Sequence, residues 1–225
     1  MKNNRMNRIL LTVCLGLIAS LTVKSQMGSV RYDLKSLFEN NKLDVYNRHV
    51  STFTENDKEG IRFSKNENDG IAWLKHIIFS NGIIELDIRG KDELQQSFVG
   101  VAFDGSDNST HDIIYFRPFN FQTADTVRRV HAVQYVSEPD FPWQVLREKF
   151  SGIYEKAVDP PPNGNDWFHV KIVVKFPEVT VFVNENPEPC LSVEKLNNRS
   201  SGKIGLWVGN NSDGDFANLL ITPLI

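Results

Sequence analysis

Asn81-Gly82-Ile83-Ile84-Glu85-Leu86-Asp87-Ile88-Arg89 opens on a turn pair and then alternates without a break. Ile84, Leu86 and Ile88 take one face; Glu85, Asp87 and Arg89 take the other. That period of two marks a half-buried strand. The pattern recurs outward from this stretch. Ile113 to Phe119 alternates until Pro118 ends it. His131 to Val136 sets Ala132, Gln134 and Val136 opposite His131, Val133 and Tyr135. Val170 to Phe176, Val179 to Val183, Lys203 to Val208 and Phe216 to Ile221 continue the series. Phe98 to Phe103 is mostly apolar and suits a strand buried on both faces. Turn chemistry separates the runs at Asp104-Gly105-Ser106-Asp107, at Pro177-Glu178 (a hairpin) and at Asn210 to Gly214. The best helical candidate is a short turn around Asp140 to Phe150. Many short strands without crossover helices predict an all-β, antiparallel fold.

The composition suits such sheets. The chain has 225 residues, of which 40% are hydrophobic and 11% aromatic, and flat or branched side chains pack well on a pleated surface. No repeat of fixed period and no low-complexity tract divides it. Pro160-Pro161-Pro162-Asn163-Gly164-Asn165 reads as a surface loop rather than a linker, because Trp167 to Phe176 resumes the same strand pattern. A single domain over 26–225 is expected.

The first 25 residues read as a signal peptide. Lys2, Arg5 and Arg8 precede an apolar stretch from Ile9 to Val23, short for a membrane span. Val23-Lys24-Ser25 then offers small side chains at the positions a signal peptidase reads, which sets cleavage before Gln26. Cys14 follows Val13, where a lipid-attachment signal wants a small residue, so a lipid anchor is not expected. The mature chain is expected in the periplasm or outside the cell, without a membrane span. Four of the 25 basic residues and no acidic ones lie in the leader, leaving 21 against 28 and a formal charge of −7. This balance argues against nucleic acid, which asks for a basic face, and suits neutral or cationic ligands. Only Cys190 remains, so no intrachain disulfide can form. Asn108-Ser109-Thr110 and Asn198-Arg199-Ser200 match the glycosylation sequon but read as polar turns behind a bacterial-style leader.

Several strings resemble a known superfamily when taken in order. They are Asn81 to Ile88, Phe98-Val99-Gly100-Val101-Ala102-Phe103, Tyr115-Phe116-Arg117-Pro118-Phe119-Asn120, and Gln134-Tyr135. Trp167 to Ile172, Val181-Phe182-Val183-Asn184, and Gly202 to Gly209 follow. Together they resemble the concanavalin A-like lectins and glucanases, near the secreted bacterial 3-keto-disaccharide hydrolase (DUF1080) group and laminin-G-like modules. The likeness covers roughly 69–221. It implies a two-sheet antiparallel jelly-roll sandwich and a carbohydrate partner. It does not choose between a glycoside hydrolase or lyase and a lectin-like or adhesion module, since one fold hosts all of them. Glucanases of this fold carry Glu-x-Asp-x-x-Glu on one strand. Here Glu85 and Asp87 are followed by Gly90 where the second Glu should stand, which removes one of the two carboxylates of the retaining mechanism. Glu85 and Asp87 then read as a solvated sheet face.

The densest chemistry lies between Asp104 and Glu155. Sugar sites pair a flat aromatic with planar amide or guanidinium groups that satisfy hydroxyls in two directions. Tyr115, Asn120, Gln134, Tyr135, Trp143 and Arg147 are the candidate ligand-binding residues. Trp143, in the irregular Phe141-Pro142-Trp143, is the best candidate for a stacking platform, whereas Trp73, Trp167 and Trp207 read as core or edge packing. If Tyr115 and Arg117 share a face with the next strand, alternation admits either His131 and Tyr135 or Gln134, and the His131/Tyr135 side is the expectation. Among enzymes, the 3-keto-disaccharide likeness implies acid/base chemistry beside a ketone. His131 or Glu155 would carry the proton and Arg117 would support the oxyanion. His111, Glu138 and Asp140 are further candidates by type. Cys190 has no base signalled beside it, and no serine sits in a nucleophile elbow. No zinc spacing is present and no cofactor is expected. Asp104 to Asn108 and Asn210 to Asp215 could supply a structural calcium, though turns use the same residue types without a metal.

Overall fold

The computed structural model describes residues 28–224. The expected leader at 1–25, its Cys14 and the cleavage point before Gln26 lie outside the described residues. In chain order the strands begin with β1 Val30–Tyr32, β2 Leu43–Tyr46, β3 Val50–Glu55, β4 Lys58–Phe63 and β5 Gly70–Phe79. They continue with β6 Gly82–Arg89, β7 Val99–Gly105, β8 His111–Phe116, β9 Val133–Glu138 and β10 Glu155–Lys156. The last are β11 Phe168–Lys175, β12 Glu178–Val183, β13 Leu191–Glu194, β14 Gly202–Val208 and β15 Gly214–Pro223. Short helices α1 (Leu34–Glu39), α2 (Thr126–Arg129) and α3 (Trp143–Lys149) decorate them, with one 3-10 turn at Pro118–Asn120.

Two antiparallel sheets result, the sandwich that the alternation and the resemblance predict. An eight-stranded sheet runs β13-β12-β11-β6-β15-β4-β3, with β1 added on β15. A seven-stranded sheet runs β10-β9-β8-β7-β14-β5-β2. The core lies between them. Ile84, Leu86 and Ile88 of β6 point inward with no exposure, as their spacing requires. They meet Val99, Val101 and Phe103 of β7 and Ile114 and Phe116 of β8, all at most 1% exposed. Phe116 packs edge-on against Phe168 of the other sheet at 5.2 Å, which ties the layers with an aromatic contact. Pro118 does end β8: it enters the 3-10 turn, where its missing N–H costs nothing.

The sandwich begins earlier than the resemblance implies, since β1 to β5 contribute to both sheets. Their apolar signal is thin; β3, Val-Ser-Thr-Phe-Thr-Glu, buries only Phe53. The helical turn expected at 140–150 is α3. Trp73 and Trp207 are buried, at 2% and 5% exposure, but not between the sheets. Register puts both on the outer face of the seven-stranded sheet, Trp207 opposite Gly100 and Trp73 opposite Gly205. Trp167 is half-buried on the outer face of the other sheet, against Phe53 at 5.7 Å and under Arg89 at 4.8 Å. No helix among the described residues is long and apolar enough to cross a membrane.

Candidate functional site

One cross-strand row builds the site. Trp207 on β14 stands opposite Gly100 on β7, Gly100 opposite Tyr115 on β8, Tyr115 opposite Gln134 on β9, and Gln134 opposite Glu155 on β10. Residues directly opposite share a face. An added Cβ on Gly100 would lie 2.1 Å from the Ile114 carbonyl oxygen, so only glycine fits. Over that bare position the Tyr115 and Trp207 rings meet at 5.2 Å.

Gln134, not Tyr135, joins Tyr115 on this face, which corrects the expectation. Tyr135 turns between the sheets, fully buried, and donates its hydroxyl proton to Asp112 Oδ2 at 3.1 Å. His131 nevertheless reaches the site. It precedes β9 and sits in the turn after α2, where strand alternation has no hold.

The foundation of the site is buried. Arg117, 5% exposed, donates from Nη2 to the Tyr115 hydroxyl at 2.6 Å and to Gln134 Oε1 at 2.5 Å, and from Nη1 to the His131 carbonyl at 2.8 Å. Its guanidinium lies 4.7 Å from the Tyr115 ring centroid. Tyr115 donates in turn to Gln134 Oε1 at 2.8 Å, and burial pushes its hydroxyl up to about 12, so it stays neutral. Gln134 Nε2 is buried without a partner among the described residues. Asn120 donates to the His131 carbonyl at 3.3 Å and accepts from Arg128 Nε at 3.2 Å. Arg117 and Asn120 therefore hold the His131 backbone rather than face solvent.

Glu155 is the anionic centre. Its two oxygens accept from Arg147 Nε at 3.0 Å and Nη2 at 2.7 Å, the bidentate geometry a guanidinium fork favours. His131 Nδ1 lies 2.7 Å from Oε2, as an ion-pair contact rather than an aligned hydrogen bond, and Arg117 Nη1 lies at 3.8 Å. Burial alone would push this carboxyl up. Hydrogen bonding from Arg147 and the charges of Arg147, His131 and Arg117 outweigh it and hold the carboxyl below its ordinary value. Trp143 and Arg147 stand one helical turn apart on α3, and the guanidinium stacks 4.9 Å from the indole centroid. Trp143 remains 42% exposed. The Arg147 and His131 side chains are 35% and 22% exposed, whereas that of Glu155 is 4% exposed.

The other candidates lie elsewhere. His111 is buried edge-on to Trp73 at 5.6 Å, and among the described residues neither ring nitrogen has a hydrogen-bond partner. Glu138 is half-buried, and burial raises its carboxyl. Burial pushes the Cys190 thiol up to about 12, which makes it a poor nucleophile. Glu85 and Asp87 sit on the eight-stranded sheet, away from this cluster. An added Cβ at Gly90 would lie 2.6 Å from Pro118 Cγ and from Ser97 Oγ, so no glutamate fits there. Asp87 is not solvated, contrary to expectation. It is 8% exposed and accepts from Lys58 at 2.6 Å and Asn218 at 2.7 Å, with His169 Nδ1 at 2.9 Å. The acids of the two calcium-candidate loops also have partners. Asp104 pairs with Lys195, Asp107 accepts from the backbone of Ser109 and Thr110, Asp213 pairs with Lys91, and Asp215 with Arg62 and Arg89. Among the described residues no three His, Cys, Asp or Glu side chains are placed to hold a metal.

Two cavities open on the eight-stranded sheet instead. One of about 510 Å³ is lined by Arg62, Arg89, Lys91, Asp213 and Asp215; another of about 380 Å³ is lined by Glu85, His169, Lys171 and Phe182. In the larger, each of these charges is paired with another lining residue or with Glu55. The Glu155 cluster keeps a part-exposed guanidinium and imidazole and an exposed aromatic, and is the better candidate for recognition.

No protein-family model and no curated protein matches this chain. Solved structures do share the fold. A carbohydrate-binding module, CBM66 from Bacillus subtilis, superposes with a TM-score of 0.58 at 15% identity, covering 79% of this chain and 93% of the module. A protein of unknown function with a galectin-like fold, also from Bacillus subtilis, gives 0.60 at 13% identity, over 88% and 97%. A glycosidic hydrolase gives 0.55 at 10% identity, over 88% and 96%. Likeness at these identities is a likeness of fold.

Proposed function

We propose that this concanavalin A-like sandwich is an exported glycan-binding domain whose site is the cluster of Trp143, Arg147 and His131. One observation carries the reading: an exposed indole and a part-exposed guanidinium and imidazole stand together on a buried scaffold of Tyr115, Arg117, Gln134 and Glu155. An indole face stacks on the C–H face of a pyranose, and guanidinium and imidazole groups bond its hydroxyls. Sugar binding in the carbohydrate-binding module of the same fold supports the reading. A glycan array tests it. Binding by the native chain, weakened about tenfold by Trp143→Ala, is the expected result; an array with no bound glycan refutes it. Export is tested separately by the mass of the mature N-terminus, expected at Gln26 and contradicted by a chain still starting at Met1.

The contact of His131 with a buried, ionised Glu155 favours a second reading, a hydrolase or lyase of the 3-keto-disaccharide type. In it His131 exchanges the proton of a C–H beside the ketone, and Glu155 orients the imidazole. Arg117 is committed inward, so Arg147 is the guanidinium placed to support an oxyanion. Sugar release assayed on the bound glycan decides this. Release that His131→Gln abolishes while binding persists, even if weakened, supports it, and binding without release removes it.

A further inference from the structure

We infer that the glycan bound at this site is acidic, with a uronic-acid carboxylate received by Arg147 and His131 beside Trp143. This inference rests on the binding reading above and adds the class of ligand. Three basic side chains, Arg117, Arg147 and His131, converge on one carboxylate. Glu155 can neutralise one charge only, so the cluster retains at least one positive charge whatever the state of His131. A fourth basic group, Arg128, stands behind Asn120.

Accessibility sharpens the imbalance. The anion is the buried member, its side chain 4% exposed, while the basic side chains form the rim, with Arg147 at 35% and His131 at 22%. An approaching sugar therefore meets donors and positive charge, and no carboxylate from this group. Arg147 uses Nε and Nη2 on Glu155, and among the described residues nothing bonds to its Nη1. That edge, with the imidazole next to it, suits a planar carboxylate better than a lone hydroxyl. Stacking on Trp143 fixes the guanidinium plane, so little rotamer freedom remains to be lost on binding. A ring resting against the exposed part of Trp143 would bring a carboxylate on its C5 toward the same edge.

The test is an array carrying uronic-acid oligosaccharides beside their neutral hexose counterparts and sulfated glycans. Preferential binding to uronates is expected, falling steeply with added salt because exposed charges are screened. Arg147→Gln should cost about tenfold or more in uronate affinity, a larger factor than it costs in neutral-sugar binding. Arg147→Lys should recover part of it. Since Arg147→Gln also loosens Glu155, His131→Gln is made in parallel, and both melting temperatures are read beside the affinities. Equal binding of uronates and neutral sugars overturns the inference and leaves the glycan site standing. Sulfated glycans bound in preference to uronates overturn it as well. An array with nothing bound overturns both.

Discussion

His111 shows how far one buried side chain can couple the fold to pH. Burial pushes its imidazole down to about 4, against about 6.5 in an unfolded chain. The folded state therefore favours the neutral ring. This contribution is fully present above pH 6.5 and is lost as pH falls from there towards 4, at most about 3 kcal/mol. Asp104 acts in the opposite sense. Burial raises its carboxyl to about 6, so its contribution is present in acid and is lost as pH rises through 6. The comparison of native chain and variant isolates the histidine. His111→Phe, which keeps an edge-on ring against Trp73, should lose less melting temperature between pH 7 and pH 4 than the native chain does. Parallel pH profiles would contradict the assignment. Trp143 makes the complementary case: at 42% exposure its replacement should hardly alter the melting temperature while weakening glycan binding.

At the level of elements, the site depends on a strand of only two residues. Glu155 and Lys156 pair with Gln134 and Val133, and this pairing places the carboxylate under α3. Glu155→Gln keeps the shape and removes the charge, leaving Arg117 and Arg147 uncompensated. The expected loss is about 3 kcal/mol in urea denaturation, the cost of breaking a buried ion pair from one side. A loss under about 0.5 kcal/mol would mean that the cluster relaxes into solvent. The central strand gives a second test. Gly100→Ala would force a Cβ to 2.1 Å from the Ile114 carbonyl oxygen. Unpairing of β7 from β8 should follow, visible as faster amide exchange at Tyr115 and Gly100.

Across the whole molecule, a buried charge cluster clamps one end of the sandwich. Lys195, which follows β13 of the eight-stranded sheet, pairs with Asp104 and Asp112 of the other sheet, and Arg199 joins through Asp112. Asp104 reaches this cluster because its backbone turns left-handed, φ 49°, at a register shift opposite β14. Lys195→Met should cost about 3 kcal/mol or more in urea denaturation by stranding carboxylates in the interior. Adding Asp104→Asn should recover part of that loss. A double variant no more stable than the single would refute the coupling. The same scale bears on ligand choice. The charge of −7 expected if the leader is removed points to neutral or cationic ligands, but screening confines each charge to its neighbourhood, and Arg117 and Arg147 against one Glu155 leave the site locally basic.

The strands were legible in the sequence because a pleated backbone sends alternate side chains to opposite faces. Ile84, Leu86 and Ile88 had to face a core, and Glu85 and Arg89 had to face away. The same rule correctly put Tyr115, Arg117 and Ile113 together. It could not say which face of β9 met them, since register is a property of two strands rather than one. Gln134 prevailed over Tyr135 only when β8 and β9 paired. The sequence named His131, which reaches the site from a turn rather than by alternation, and could not find Trp207 and Gly100, which lie across the sheet from strands distant in the chain. The amino-acid order determined the sandwich and the residue types available for recognition. The pairing of the strands decided which of them share a wall, because hydrogen bonds between chain segments carry information that no single segment holds.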